Sequence, residues 1–486
     1  MSYVLGIDIG SSSEKAAVFD DNGNTIATAV SGYEIYSSDK TAEQDVEQYL
    51  TAFRKNMESI GKEILSKVSA ICICGQTPTD IFVDKNGKPL RKAVMWKDLR
   101  AKSQYERLTK EFSFEKLESL SGCYLPRSEA MTPVKMARIF EEEPEVAEKT
   151  YKVLQPKDYL VYKLTGNFVT DLWCGRFFRN VETGEISEDI MKYTGFDESV
   201  APNAEKPETI SGTVVSEEFT NIGLKTGTPV VCGSGDGFAS MLSSGVLADD
   251  GIAFNSTGTS EMAGVTVDFP ETVKNLYVFP KSLTGEKAVC FGPTQSGGAS
   301  LLWFARSVLD VSFEELTKMA SKSRAGADGL VFLPYISGER APIWDSSAKG
   351  CFFGIKASHT ANDFARSVLE GVAFSIKHIL EFSGRTDIRS LRISGGGSKV
   401  DVWNEIRAGV LGVTIETSFC EEACALGAAM IAGKGTGTFS SYKEAAEKMC
   451  RVKDAYLPKS EDAPAYERNY EVYKNLYNDV KKYYQE

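Results

Sequence analysis

The sequence predicts an α/β protein of two lobes, each built on a mixed sheet flanked by helices. Three observations carry this. The chain has 486 residues, too long for one ordinary domain and enough for two with cores of their own. Its opening runs strand, strand, strand, helix, strand, an order that builds a mixed sheet with a helical layer. Around residue 250 a strand, a polar glycine-containing loop and a second strand recur as they occur at the start. The boundary is placed between 246 and 247, giving lobes of residues 1–246 and 247–486.

The elements follow in chain order. Met1-Ser2-Tyr3-Val4-Leu5-Gly6 runs straight into a strand and lacks the basic start, apolar core and small-residue cleavage site of a secretory leader. Val4–Ile9 and Ala16–Asp20 read as paired strands, Asp21–Asn24 as a turn and Thr25–Val30 as a third strand. From about Gln44, Val46, Tyr49, Leu50, Phe53, Met57 and Ile60 recur at three- and four-residue steps, which predicts a helix with one buried face. Val68–Cys74 is an apolar run ending at Gly75, a buried strand. Residues 100–225 mix helical stretches with loops before another apolar strand, Val230-Val231-Cys232. Gly251–Asn255, the loop Ser256–Ser260 and Met262–Val267 form the second strand–loop–strand unit. A long helix over Asn362–Phe382 carries Phe364, Val368, Leu369, Val372, Ile376 and Leu380 on one face and is expected to pack on the second lobe's sheet. No short-period repeat or low-complexity tract interrupts this order.

Composition narrows the function. Apolar residues make up 42% and charged residues 25%, the profile of a soluble globular protein. No stretch approaches the roughly 18 apolar residues of a membrane span, so a cytoplasmic location is expected. A net charge of -12 argues against nucleic acid or an anionic membrane as the main partner and leaves small molecules. Of the ten cysteines, Cys72 and Cys74 read as small buried hydrophobes in a strand. Cys420 and Cys424 are spaced for one helical face, without the second pair or nearby histidine of a zinc set. The two histidines, His359 and His378, read as helix residues, so any general base is a carboxylate.

Four glycine-containing segments carry candidate chemistry. Asp8-Ile9-Gly10-Ser11-Ser12-Ser13-Glu14-Lys15 lies between strands. Its backbone N–H groups and hydroxyls suit phosphate oxygens, and Asp8 suits a water-mediated bond to Mg²⁺. The same residues also suit a serine-rich hairpin whose aspartate caps the turn. Ser256-Thr257-Gly258-Thr259-Ser260 is a second such turn, and two in matching settings suggest phosphates held from opposite sides. Gly233-Ser234-Gly235-Asp236-Gly237 follows a strand. Its acid is either a turn aspartate bonded to its own backbone or a carboxylate brought close to a ligand as proton acceptor. Ile393-Ser394-Gly395-Gly396-Gly397-Ser398 leaves bare backbone against which a nucleotide base or ribose can lie. It is not GxGxxG, Asp401 lies too close behind it to be the ribose acid of a dinucleotide site, and no GxxxxGK[ST] occurs.

Together these residues resemble the FGGY carbohydrate kinases, the group that contains xylulokinase, gluconate kinase, glycerol kinase and ribulokinase. The resemblance runs over nearly the whole chain in the family's order. Asp8–Lys15 resembles phosphate motif one. Gly75-Gln76 and Trp96-Lys97-Asp98-Leu99-Arg100 resemble substrate-side segments, and Lys157-Asp158-Tyr159, Leu164-Thr165-Gly166 and Asp171 resemble the "KDY…LTG…D" stretch. Gly235-Asp236 is similar to the segment that bears the family's catalytic aspartate and Gly258-Thr259-Ser260 to phosphate motif two. Pro334-Tyr335 with Gly338-Glu339-Arg340-Ala341-Pro342 and Gly350 resembles the "PY-x-x-GER-x-P…G" signature. Gly395–Gly397 and Gly427-Ala428-Ala429 resemble the adenosine region.

The resemblance implies two actin-like (ribonuclease H-like) lobes with a cleft between them, and phosphorylation of a sugar or polyol hydroxyl by ATP with Mg²⁺. It implies Asp236 as general base and Asp8 as the metal partner. Ser11, Ser12, Ser13, Lys15, Gly258, Thr259, Gly298, Gly396, Gly397 and Asp401 are implied on the nucleotide. Gln76, Thr77, Pro78, Asp98, Asp236 and Gly237 are implied on the acceptor, and Glu339 with Arg340 as a structural pair. Dimers are common among such enzymes, and a homodimer is the assembly the resemblance allows, though no surface stripe in the sequence marks one. Thr77, Pro78 and Gly237 depart from side chains that relatives use to hold sugar hydroxyls, which implies a changed substrate; "K-x-x-W" appears as Lys135–Arg138 without the tryptophan. Gluconate, glycerol or a tetritol are alternatives to a ketopentose. Outside the kinases, an actin- or chaperone-like ATPase and a catalytically inactive sugar sensor are the competing readings.

Overall fold

A computed structural model describes residues 3–125 and 127–484; Met1 and Ser2 of the opening run lie outside the described residues. The chain divides into two compact units. The first gathers the residues up to Ser243 with Phe279–Gly285 and Glu422–Cys450; the second holds Ser244–Val278, Glu286–Glu421 and the residues from Arg451 onward.

In the first unit a six-stranded sheet runs in the order Ile210–Thr213, Pro229–Val231, Val68–Gly75, Tyr3–Ile9, Ser13–Phe19, Thr25–Gly32. Tyr3–Ile9 pairs antiparallel with Ser13–Phe19 and parallel with Val68–Gly75, so the sheet is mixed, as its element order predicts. The helix Glu47–Ile60 lays Tyr49, Leu50, Phe53, Met57 and Ile60 into one core with Leu5, Ile7, Val18, Ile71 and Ile73. The helix Ala423–Gly435 packs closely enough that backbone meets backbone. A Cβ on Gly6 would stand 2.0 Å from the carbonyl oxygen of Ala425, and one on Gly427 would stand 1.9 Å from that of Ala239, in the helix Asp236–Ser243. Only glycine permits such an approach.

In the second unit the sheet order is Tyr277–Phe279, Ala288–Pro293, Glu261–Val267, Ile252–Thr257, Ser390–Gly395, Thr414–Ser418, Val452–Tyr456. Ile252–Thr257 pairs antiparallel with Glu261–Val267 and parallel with Ser390–Gly395, the relation that Tyr3–Ile9 has to its own neighbours. The long helix, Ala361–Phe382, serves two cores. Ile376, Ile379 and Leu380 pack with Val265, Leu391 and Ile393 of the sheet. Val368, Leu369, Val372 and Phe374 pack with Trp403, Ile406, Tyr466, Tyr470 and Tyr473.

Two expectations are corrected here. His359 is not helical: it lies in the loop before the Ala361 helix, where its Nδ1 accepts the N–H of Lys356 at 3.0 Å. Cys420 lies in a loop and Cys424 inside the Ala423–Gly435 helix, so they do not share a helical face. All ten cysteines are free thiols. No helix among the described residues is long and apolar enough to cross a membrane.

Glu14 is wholly buried in the Ser13–Phe19 strand. Its Oε1 accepts from Asn56 Nδ2 at 3.0 Å and its Oε2 has no partner. Burial, helped by the charge of Asp8 and opposed by Asn56, pushes its carboxyl up to about 8. Because the folded value lies above the unfolded one, stability is full at acid pH and falls as pH rises through that range. Glu14→Gln is expected to raise stability at pH 9 by several kcal/mol and to leave it unchanged at pH 4, read as unfolding midpoints across that range.

Candidate active site

The first strand delivers Asp8 to its C-terminal end, opposite Lys15 on one neighbour and Cys74 on the other. Oδ1 of Asp8 is buried without a hydrogen-bond partner. Burial raises its carboxyl to about 6, against the pull of the Cys424 thiol, which donates to it, and of Lys15. Lys15 itself pairs with Glu422 at 3.0 Å.

The following turn is tied down from several directions. Gly10 N–H donates to Ser13 at 3.0 Å, and the Tyr33 hydroxyl donates to the carbonyl of Gly10. Gln44 Nε2 donates to the carbonyl of Ser11 at 2.7 Å, and Trp96 Nε1 donates to its hydroxyl at 3.0 Å. Ser12 is exposed at the tip. The turn is therefore rigid, with its tip outward.

Gln76 follows the parallel strand. Its Nε2 donates to Gln44 Oε1 at 2.8 Å, while its Oε1 is buried and partnerless, as is the hydroxyl of Thr77. The carbonyl of Pro78 accepts from the buried Lys135, which also pairs with Asp80 at 2.7 Å. Asp98 has a full set of protein partners: the N–H of Ala42 at 2.9 Å, and Arg100 Nε at 3.0 Å from each of its oxygens. Arg100 and these bonds hold its carboxyl below the usual range, although burial works the other way.

Asp236 is the first residue of the Asp236–Ser243 helix, and its Oδ1 accepts the N–H of Gly237 at 2.7 Å. Gly75 N–H donates to the carbonyl of Ser234 at 3.3 Å, which joins this turn to the end of the Val68–Gly75 strand. A Cβ on Gly235 would stand 2.8 Å from Thr77 Cγ2, so Thr77 flanks the peptide that enters Asp236. Behind the turn lies a buried charge network. Ser234 Oγ donates to Asp171 at 2.8 Å, Lys157 pairs with Asp171 at 3.1 Å and with Asp158 at 2.6 Å. Burial and then the charge of Asp8 push the Asp236 carboxyl up to about 7, with Gly237 and Arg176 pulling it down.

In the second unit the turn Gly258–Ser260 joins two strands, with Gly258 and Thr259 exposed. The carbonyl of Thr259 accepts from Gly297 and Ala299 at 3.0 Å each, and that of Gly258 from Gly298 at 3.0 Å. Gly298 has a packing reason of its own, because its Cβ would stand 2.6 Å from the Gly258 oxygen. The glycine run is pinned to the neighbouring strand: Thr257 Oγ1 donates to Ser394 O and accepts from Gly397 N–H, both at 2.8 Å. Gly396 faces open space. Arg407, stacked 3.6 Å over Trp403, pairs with Glu261 at 2.7 Å; both charges are wholly buried. Asp401 is exposed and accepts from the Tyr456 hydroxyl at 2.6 Å.

Two assignments change. Gly427–Ala429 lies inside the first unit, and Gly427 is there for helix packing rather than in an adenosine loop. Glu339 and Arg340 do not join side chains: Glu339 accepts the N–H groups of Gln295 and Arg340, while the Arg340 guanidinium donates to Thr294 O. Sequence reasoning missed Gln44, Tyr33, Cys424 and Arg176. The first three reach their contacts from distant parts of the chain. Arg176 carried a local signal, an arginine set among Trp173, Phe177 and Phe178.

Residues 3–243 match the N-terminal domain of the FGGY family of carbohydrate kinases and residues 253–436 its C-terminal domain. The xylulose kinase of Staphylococcus epidermidis is 31% identical over 98% of this chain and 97% of its own. A gluconokinase of Bacillus licheniformis is 29% identical over 98% and 95%. The crystal structure of a gluconate kinase from Lactobacillus acidophilus superposes with a TM-score of 0.90 at 24% identity, covering 99% of this chain and 98% of that one. The class is thus an ATP-dependent sugar kinase with the two-domain α/β fold. The chain belongs to the FGGY family of carbohydrate kinases.

Proposed function

We propose that Asp236 is the general base of the phosphoryl transfer. The acceptor's hydroxyl oxygen attacks the γ-phosphorus and forms a new O–P bond. The bond from that phosphorus to the β–γ bridging oxygen breaks, and its electron pair leaves with ADP. The hydroxyl proton goes to the Asp236 carboxylate. The carrying observation is the setting of Asp236: a half-buried residue at a helix start, flanked by Thr77, whose carboxyl is pushed up to about 7, first by desolvation and then by the charge of Asp8. A base poised near working pH takes the proton without being too weak to hold it.

The Ser11–Ser13 and Gly258–Thr259 turns bind phosphate oxygens, with Lys15 as a nearby cation, and Gly396, Gly397 and Asp401 meet the adenosine. Gly298 supports the second turn from beneath. Gln76, Thr77, Pro78 and Gly237 line the acceptor, while Asp98, saturated by Arg100 and Ala42, shapes that wall from behind. The residues fit Mg²⁺ through Asp8, whose partnerless buried oxygen offers a ligand. No cluster of three or more candidate ligands occurs among the described residues, which suits an ion that keeps its waters. Bound there, the ion would neutralise charge on the nucleotide's phosphates. The acceptor is a small polyhydroxy compound of the size of the xylulose and gluconate for which relatives are named, and the reaction is cytoplasmic.

Coupled ADP release measured against ketopentoses, pentitols, aldonates, tetritols and glycerol tests the reading; turnover with none of them would end it. Thr259→Ala is expected to raise KM for MgATP about tenfold, the weight of one charge-assisted hydrogen bond, and to leave KM for the acceptor unchanged. Equal effects on both would remove Thr259 from the phosphate side.

A further inference from the structure

Six cationic side chains are buried among the described residues: Lys135, Arg138, Lys157, Arg176, Arg366 and Arg407. Five have a carboxylate within reach. Lys135 meets Asp80 at 2.7 Å, Arg138 meets Glu142 at 2.9 Å, and Lys157 meets Asp158 at 2.6 Å. Arg366 meets Glu370 at 2.8 Å and Arg407 meets Glu261 at 2.7 Å. Arg176, only 6% exposed, has none among the described residues. Its guanidinium lies over the rings of Trp173 and Phe177, 4.6 and 4.3 Å from their centroids, and Nη1 donates to Trp173 O at 2.7 Å. Nε is buried without a partner, and among the described residues no hydrogen bond engages Nη2. What stays uncommitted is the Nε–Nη2 edge, the side of the fork that takes a carboxylate with two parallel bonds.

The place of this edge matters as much as its vacancy of partners. Arg176 belongs to the turn Cys174–Phe177, which Asp171 fixes by accepting the N–H groups of Trp173 at 3.1 Å and Cys174 at 3.3 Å. Asp171 also holds Ser234, two residues before Asp236. A Cβ on Gly235 would stand 2.8 Å from Thr77 Cγ2, 3.7 Å from Trp173 Cδ1 and 3.8 Å from Cys174 Sγ. The arginine's turn therefore borders the peptide that carries the base. Its charge is felt at Asp236, where burial nonetheless prevails.

Burying a guanidinium without a counter-ion costs several kcal/mol, which a neutral sugar does little to offset. We propose that the acceptor is a sugar acid, an aldonate-type polyhydroxy carboxylate, whose carboxylate binds the Nε–Nη2 edge of Arg176 while a hydroxyl lies at Asp236. This rests on the reading of Asp236 as the acceptor-side base. It also gives a use for the missing polar side chains at Pro78 and Gly237, since a charge-assisted fork replaces several neutral hydrogen bonds in fixing the substrate.

The test compares each acid with the alditol of equal length: threonate with threitol, xylonate with xylitol, gluconate with glucitol, and xylulose beside them. Wild-type kcat/KM is expected to favour the matching acid by about 100-fold. Arg176→Met should bring that ratio to within about tenfold of one, and Arg176→Lys should keep part of it. The ratio is insensitive to partial misfolding, which lowers both members of a pair alike. Equal wild-type turnover of acid and alditol, better turnover of xylulose, or a ratio that survives Arg176→Met would each overturn the assignment while leaving the kinase reading intact. Turnover of nothing in the panel would instead remove Asp236 from the acceptor side, and this inference with it.

Discussion

Asp236→Asn is expected to lower kcat by about three orders of magnitude or more while KM for MgATP changes little. The amide keeps the size of the carboxyl, and its oxygen still accepts the N–H of Gly237, so the start of the helix survives. What is lost is the negative charge and with it the capacity to take a proton. The wild-type rate should fall with pH below about 7, because the carboxyl is then protonated and cannot act as base. The variant should lack that limb. Its thermal stability at pH 8 should hold or rise, since burial and the neighbouring Asp8 both disfavour the charge that the substitution removes. An active, undiminished variant would take Asp236 out of the chemistry. An inactive variant that is also unfolded would make its role structural.

The second large effect is on stability. Lys157→Ala leaves two buried carboxylates, Asp158 and Asp171, without the ammonium that sits 2.6 and 3.1 Å from them. Removing one partner of a buried ionic group costs about 3–5 kcal/mol, and here one cation serves two anions. Denaturation of the variant at pH 7 should show a loss of that order. Burial already holds the Asp158 carboxyl above its ordinary range against the pull of Lys157, so in the variant Asp158 should gain a proton readily. The deficit should therefore shrink as pH falls toward 4. A loss independent of pH would mean that packing of the lysine stem, not its charge, is what matters. Because Asp171 also holds Ser234, turnover should suffer even under conditions where the variant remains folded.

The sequence made the strand-end acids legible because their signals are local. An apolar run with an aspartate and a glycine at its end marks a chain leaving a sheet beside a carboxylate: Asp8 follows Val4–Ile7 and precedes Gly10, and Asp236 follows Val230–Cys232 between Gly235 and Gly237. The long amphipathic helix over Ala361–Phe382 was readable for the same reason: its periodicity needs no partner to be seen. What escaped depends on where distant segments arrive. Nothing near Ser11 announces that Gln44 and Trp96 hold it, and nothing near Asp8 announces the thiol of Cys424. Gly427–Ala429 misled in an instructive way. A run of small residues says that something approaches closely, but a helix backbone and a nucleotide make the same demand. The charge on Arg176 was plain to read, whereas its lack of a carboxylate emerges only once every other buried cation has been matched with one.

The close seating of the Ala423–Gly435 helix on Gly6 and on the Asp236 helix has a consequence for how the molecule comes into being. The layer that covers this face of the first sheet is supplied by Ala423–Gly435, which follows most of the second unit in the chain. While the ribosome is still working through the second unit, the strands carrying Asp8 and Cys74 wait with an apolar side unclothed. Such long sequence separation slows assembly and leaves greasy surface open to wrong partners. The unit that bears Asp8 and Asp236 is thus finished late, by a segment that crosses back after most of the other unit has been made.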